Sequence, residues 1–95
     1  RVDKILTKAQ GMGNKEYLMR RMSEFYKKKL DSGELHAKVN EIELLTFISS
    51  AYTGIQSCCI VYNCYNKSPF TPAYQPRIQF KVLAKTINYL LGAEE

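Results

Sequence analysis

From Ile42 to Tyr62 the residues Ile42, Leu45, Ile48, Tyr52, Ile55, Cys59 and Tyr62 recur at steps of three and four. Helical geometry brings that spacing onto one side, and a stripe of this kind is the seam of a helical bundle. The segment Ile60-Val61-Tyr62 is β-branched and aromatic, so a short strand competes with the helix there. No second alternating segment exists for such a strand to pair with, and the helix is the reading adopted.

The rest of the chain offers helices for this seam to pack on. Asn14 is an N-cap candidate with Glu16 in the first turn, and Leu18, Met22 and Phe25 follow at helical spacing, widened by Met19, Tyr26 and Leu30. Glu16/Arg20 and Glu24/Lys28 stand as acid-before-base pairs, and Lys27, Lys28 and Lys29 gather where cations oppose the helix dipole. Ile5, Leu6 and Ala9 make a short first helix. Phe80, Leu83, Ile87 and Leu90 mark a last one, capped by Thr71 or Gln75, with Pro72 or Pro76 in its first turn and Gly92 as its stop. Breaks fall at Gly11-Met12-Gly13, at Asp31-Ser32-Gly33 and across the segment from Asn66 to Pro76, which holds all three prolines and reads as an ordered connection or a lid. The expected fold is all-α, one antiparallel bundle of four or five helices over residues 1–95.

Length sets a problem for the third helix. With Glu34/Lys38 as its first ion pair, an unbroken helix from Glu34 to Tyr65 would run about 48 Å, against about 25 Å for Asn14 to Leu30. Either the helix is long, or it kinks near Thr53-Gly54, where glycine weakens a helix by about 1 kcal/mol. Ser49, Ser50, Ala51, Gly54 and Ser57 would also permit a close helix crossing there. A long, unbroken helix would favour a homodimer, because its projecting half needs apolar cover.

Composition narrows the function classes. The chain has 95 residues, with 45% hydrophobic and 24% charged, as in an ordinary globular protein. No run of about 18 apolar residues is present, so no membrane span is expected. The first residue is Arg1, which reads as a chain trimmed at its N-terminus, and no signal peptide is visible. Three cysteines, Cys58, Cys59 and Cys64, fall within seven positions, which suits reduced thiols in a cytoplasmic protein better than a disulfide framework. Asn66-Lys67-Ser68 fits a glycosylation triplet, and Ser68-Pro69 and Thr71-Pro72 fit proline-directed phosphorylation, all short patterns of high chance frequency.

Catalytic and metal chemistry find little purchase. The one histidine, His36, reads as a solvated or helix-end residue rather than a catalytic one. Glu41 and Glu43 would lie about 200° apart on a helix and cannot share a substrate from one face. Cys58 and Cys64 would lie about 120° apart, no C-x-x-C occurs, and Gly11-Met12-Gly13 lacks the remaining glycines of a phosphate loop. No catalytic, metal or cofactor site is expected, and the chain reads as a non-enzyme.

Charge is more informative by position than by total. The formal net charge is +5, yet residues 1–29 carry nine basic and three acidic side chains while residues 30–45 carry one basic and four acidic. Lys15, Arg20, Arg21, Lys27, Lys28 and Lys29 are the candidate contact residues, with Tyr74 beside them as an amphipathic ring suited to an interface. Lys81 and Lys85 would extend this surface only if the second and last helices are neighbours. Tyr17, Tyr65 and Tyr89 are further candidates for partial exposure.

The expected function is a regulatory or interaction module that binds a protein partner with an acidic surface through a helix face. Binding of nucleic acid through the phosphate backbone is the alternative, since the same cations serve it. In size, charge and helix pattern the chain also resembles the toxin- and bacteriocin-immunity proteins, a group that includes small basic four-helix bundles. That resemblance implies protection of a cell against a toxin.

Overall fold

The computed structural model describes residues 2–33, 36–64 and 75–92. Four helices follow one another, α1 (Val2–Met12), α2 (Lys15–Asp31), α3 (Glu41–Cys64) and α4 (Pro76–Leu90), and no strand occurs among the described residues. Ile60-Val61-Tyr62 belongs to α3.

The direction of each helix follows from its contacts. Lys15 at the start of α2 donates to Thr53 Oγ1 midway along α3 at 2.8 Å, whereas Ser23 further along α2 donates to Glu41 at the start of α3. Those two helices are therefore antiparallel. Tyr52 on α3 donates its hydroxyl hydrogen to the carbonyl of Ala9 near the end of α1, at 3.4 Å, and its ring lies 6.0 Å from that of Phe80 near the start of α4. One end of the bundle thus holds Ala9, Lys15, Tyr52 and Phe80, and the chain runs up, down, up and down. α2 packs between α1 and α3, and α4 packs between the same two on the opposite side.

A single core cluster joins all four helices. It contains Val2, Ile5, Leu6 and Ala9 of α1, Leu18, Met22 and Tyr26 of α2, Leu44, Ile48, Tyr52 and Ile55 of α3, and Phe80, Leu83, Ala84 and Ile87 of α4 with Leu91 beyond it. On α2 the stripe is Leu18, Met22 and Tyr26, rotated slightly from the expected one, with Phe25 at its flank and Leu30 exposed. On α3 the buried line begins at Leu44 rather than Ile42, which is 72% exposed. Leu45 is half-buried, and the side chains of Cys59 and Tyr62 lie outside the described residues.

Local chemistry explains the helix starts. Asn14 caps α2, its side chain accepting the Tyr17 N–H at 3.0 Å, and its neighbour Gly13 takes a positive φ of 62°, so α1 includes Gly11 and Met12 and the break is two residues long. α3 opens on a reciprocal capping box, with Glu43 N–H donating to Asn40 Oδ1 at 2.8 Å and Asn40 N–H to Glu43 Oε1 at 2.9 Å. The expected start near Glu34 is corrected by this box and by the use of the preceding segment. Residues 36–40 are not helical. Lys38 N–H donates to the Leu90 carbonyl at 2.7 Å, which satisfies an orphan acceptor at the end of α4, and the Val39 carbonyl accepts the Tyr26 hydroxyl at 3.2 Å. The connection closes that end of the bundle instead of extending a helix.

α3 is unbroken through Gly54, with 24 residues spanning about 36 Å. Gly54 is exposed, with open space where a Cβ would stand, so no helix crosses closely at that point. The mismatch in length remains: α3 continues past Thr53, the level at which α2 begins. α4 starts at Pro76, with Gln75 in the N-cap position, and the alternative start at Thr71-Pro72 falls outside the described residues. So do Glu34, Tyr65, Tyr74, and the short motifs at Asn66, Ser68 and Thr71.

Candidate functional site: the outer face of the second helix

Burial of Leu18, Met22 and Tyr26 fixes which side of α2 looks outward. On a helical wheel the centre of that buried arc is at Met22, and the opposite direction passes between Arg20 and Glu24. Arg20 and Lys27, seven residues apart, fall about 20° from each other near the outward direction. Arg21 and Lys28 form a second such column about 100° round, towards the Tyr17 side of the helix. Glu24 projects between the two columns, halfway along them. The four cations therefore surround one carboxylate, and all five side chains are exposed.

Two ion pairs lie on this face, Arg20–Glu16 at 3.8 Å and Arg21–Glu24 at 3.7 Å. The second replaces the expected Glu24/Lys28 pair. Exposed pairs of this kind contribute about 0–1 kcal/mol, so they order the guanidinium groups without withdrawing them from a partner. No carboxylate among the described residues pairs with Lys27 or Lys28.

The remaining candidates point elsewhere. Lys15 reaches across to α3 through Thr53. Lys29 is half-buried, its ammonium 5.6 Å from the centre of the Phe25 ring. The run Lys27-Lys28-Lys29 is thus divided, two outward and one turned along the bundle. Tyr74 lies outside the described residues. Lys81 and Lys85 sit on α4, across the bundle from α2, and do not extend its surface.

One cation that the charge count did not single out does extend it. Lys8 on α1 lies 5.8 Å from the centre of the Tyr17 ring, on the flank of α2 that carries Arg21 and Lys28. Lys4 is one turn before Lys8 on the same side of α1 and is exposed. The signal was available in the four-residue spacing of Lys4 and Lys8, but the sequence alone did not say which neighbour that side of α1 would meet.

Four glutamates among the described residues are engaged in local structure. Glu43 caps α3, Glu41 accepts from Ser23, and Glu16 and Glu24 hold arginines. His36 is exposed, in the connection that abuts the end of α4. Cys58 is half-buried, and no group of three or more metal-ligating side chains occurs among the described residues. No helix among them is long and apolar enough to cross a membrane. In comparisons with known proteins the chain matches no family model, no curated protein and no solved structure.

Proposed function

We propose that the bundle is a non-enzymatic interaction module that docks an acidic patch of a protein partner on α2. The observation that carries this reading is the group of Arg20, Arg21, Lys27 and Lys28 around Glu24, on the side of α2 that the core leaves to solvent. The local roles of Glu16, Glu24, Glu41 and Glu43 in caps and pairs support the non-enzymatic part. Their oxygens are already accepting hydrogen bonds or facing arginines.

The same geometry weighs protein above nucleic acid. A phosphate backbone is uniformly negative, and Glu24, Glu16 and Asp31 interrupt the positive surface along α2. A partner of mixed charge can place a donor against Glu24 and carboxylates against the cations, which a polyphosphate cannot do. The long α3 gives a homodimer a separate basis, and sedimentation at micromolar concentration tests it.

The native chain and a Lys27→Glu/Lys28→Glu variant, used as baits in parallel, test the α2 reading. Both positions are exposed, so the variant is expected to keep its helical signal. A partner retained by the native chain should be retained on the order of tenfold less by the variant, and less again as salt rises. Identical capture by both chains overturns the proposal. Capture that nuclease abolishes transfers the surface to nucleic acid, where affinity should fall with a log–log salt slope of about −3 to −4 for four phosphate contacts. Protection of toxin-sensitive cells by expression of the chain would replace both readings with an immunity role.

A further inference from the structure

α4 carries two apolar stripes, and the core uses only one. Phe80, Leu83, Ala84 and Ile87 are buried. On the opposite side Ile78, Val82 and Tyr89 are 51%, 55% and 63% exposed. These three lie within about 40° of one another on the helical wheel and extend along about 16 Å of helix. Single apolar side chains on a surface are ordinary. Three in line on a bundle helix, where the outer side is normally polar, form an apolar strip, with Lys85 beside it between Val82 and Tyr89.

The charges beside the strip are of one sign. α4 contains Arg77, Lys81 and Lys85 and no acidic residue. A fourth cation arrives from the connection between α2 and α3, where the Lys38 ammonium sits 4.5 Å from the centre of the Tyr89 ring. The outer side of α2 alternates acid with base; that of α4 is apolar, with Arg77, Lys81 and Lys85 along one edge and the uncharged Thr86 and Gln79 on the other.

We propose that the outer face of α4 is a second docking surface and that its occupant is an acidic amphipathic helix of a partner protein. Apolar residues of that helix, at steps of three and four, would pack on Ile78, Val82 and Tyr89, and its flanking carboxylates would meet Lys81 and Lys85. A second copy of this chain is disfavoured as occupant, because an isologous pairing of α4 with itself sets Lys81 and Lys85 against the same residues. The surface lies across the bundle from α2, so it goes beyond the α2 reading and either can fail without the other.

The test uses the full chain, isotope-labelled, with a synthetic acidic helix bearing leucines at the complementary spacing and glutamates along the edge that meets Lys81 and Lys85. Binding should move the amide signals of Ile78, Val82, Lys85 and Tyr89. Val82→Glu should weaken it by about tenfold or more, as loss of a central apolar anchor does. Lys81→Glu with Lys85→Glu, which leaves the apolar strip and the core untouched, should weaken it comparably, while Arg20→Glu with Lys27→Glu on α2 should leave it unchanged. The proposal is overturned if the peptide does not bind, if a lysine-edged peptide of the same apolar pattern binds as tightly, or if the shifts fall on α2. It is equally overturned if the α4 signals respond to the chain's own concentration, or to phosphatidylglycerol vesicles in place of the peptide.

Discussion

Gly92 and Gly54 meet opposite physical demands. Gly92 has φ of 80°, in the left-handed region, and a Cβ there would collide with the His36 carbonyl. Gly54 lies in the middle of α3, exposed, with nothing within 4 Å of the place a Cβ would occupy. Gly54→Ala should therefore stabilise the bundle by up to about 1 kcal/mol through helix propensity. Gly92→Ala should destabilise it by about 1–3 kcal/mol, since backbone strain and the collision act together. Thermal unfolding followed by circular dichroism checks both, and shifts of the same sign in the two variants would contradict the assignment. Which glycine matters could be read only half-way from the chain. Gly92 as a helix stop follows from residue type, whereas the empty space beside Gly54 depends on where the neighbouring helices run.

For α3 the decisive element is its beginning. The Asn40–Glu43 box places the first helical residue at Glu41, and the Leu44 N–H is then the first to bond the Asn40 carbonyl, at 3.0 Å. Asn40→Ala should cost about 1 kcal/mol, and hydrogen exchange should quicken at Glu43 and Leu44 before it does in the middle of α3. Unchanged protection there would show that packing alone holds the first turn. The box was visible in the sequence as Asn-x-x-Glu ahead of an apolar run, but the earlier Gly33 break and the Glu34/Lys38 spacing offered a competing start. The register of the seam was less legible. Ile42, Leu44, Leu45, Phe47 and Ile48 put apolar side chains around most of the first two turns of α3. A helix so apolar has no unique buried line until α2 and α4 take their places on either side.

Across the whole molecule Tyr52 is the junction. Its hydroxyl donates to Ala9 of α1 and accepts from the Gln56 side chain at 3.0 Å, and its ring meets Phe80 of α4. Tyr52→Phe keeps the ring and removes the hydroxyl, and it should cost about 1–2 kcal/mol. Urea unfolding should show a lower midpoint with an unchanged slope. A neutral result would mean that packing of the ring, and not the hydrogen bonds of the hydroxyl, holds this junction.

By itself the sequence determined the all-α fold class, a bundle of four or five helices, the cap at Asn14, most of the buried residues and the concentration of positive charge before residue 30. These follow from interactions along the chain: helical spacing, capping hydrogen bonds and proline or glycine at fixed positions. Only the tertiary structure decided how each helix is rotated and which helices are neighbours. That rotation turned Lys15 to Thr53 and Lys29 to Phe25, left four cations around Glu24, and brought Lys8 beside Tyr17. It also set α2 and α4 at opposite corners and left Ile78, Val82 and Tyr89 in solvent. Spacing along one helix says which side chains share a side. The side that becomes a surface is chosen by the helices that cover the others.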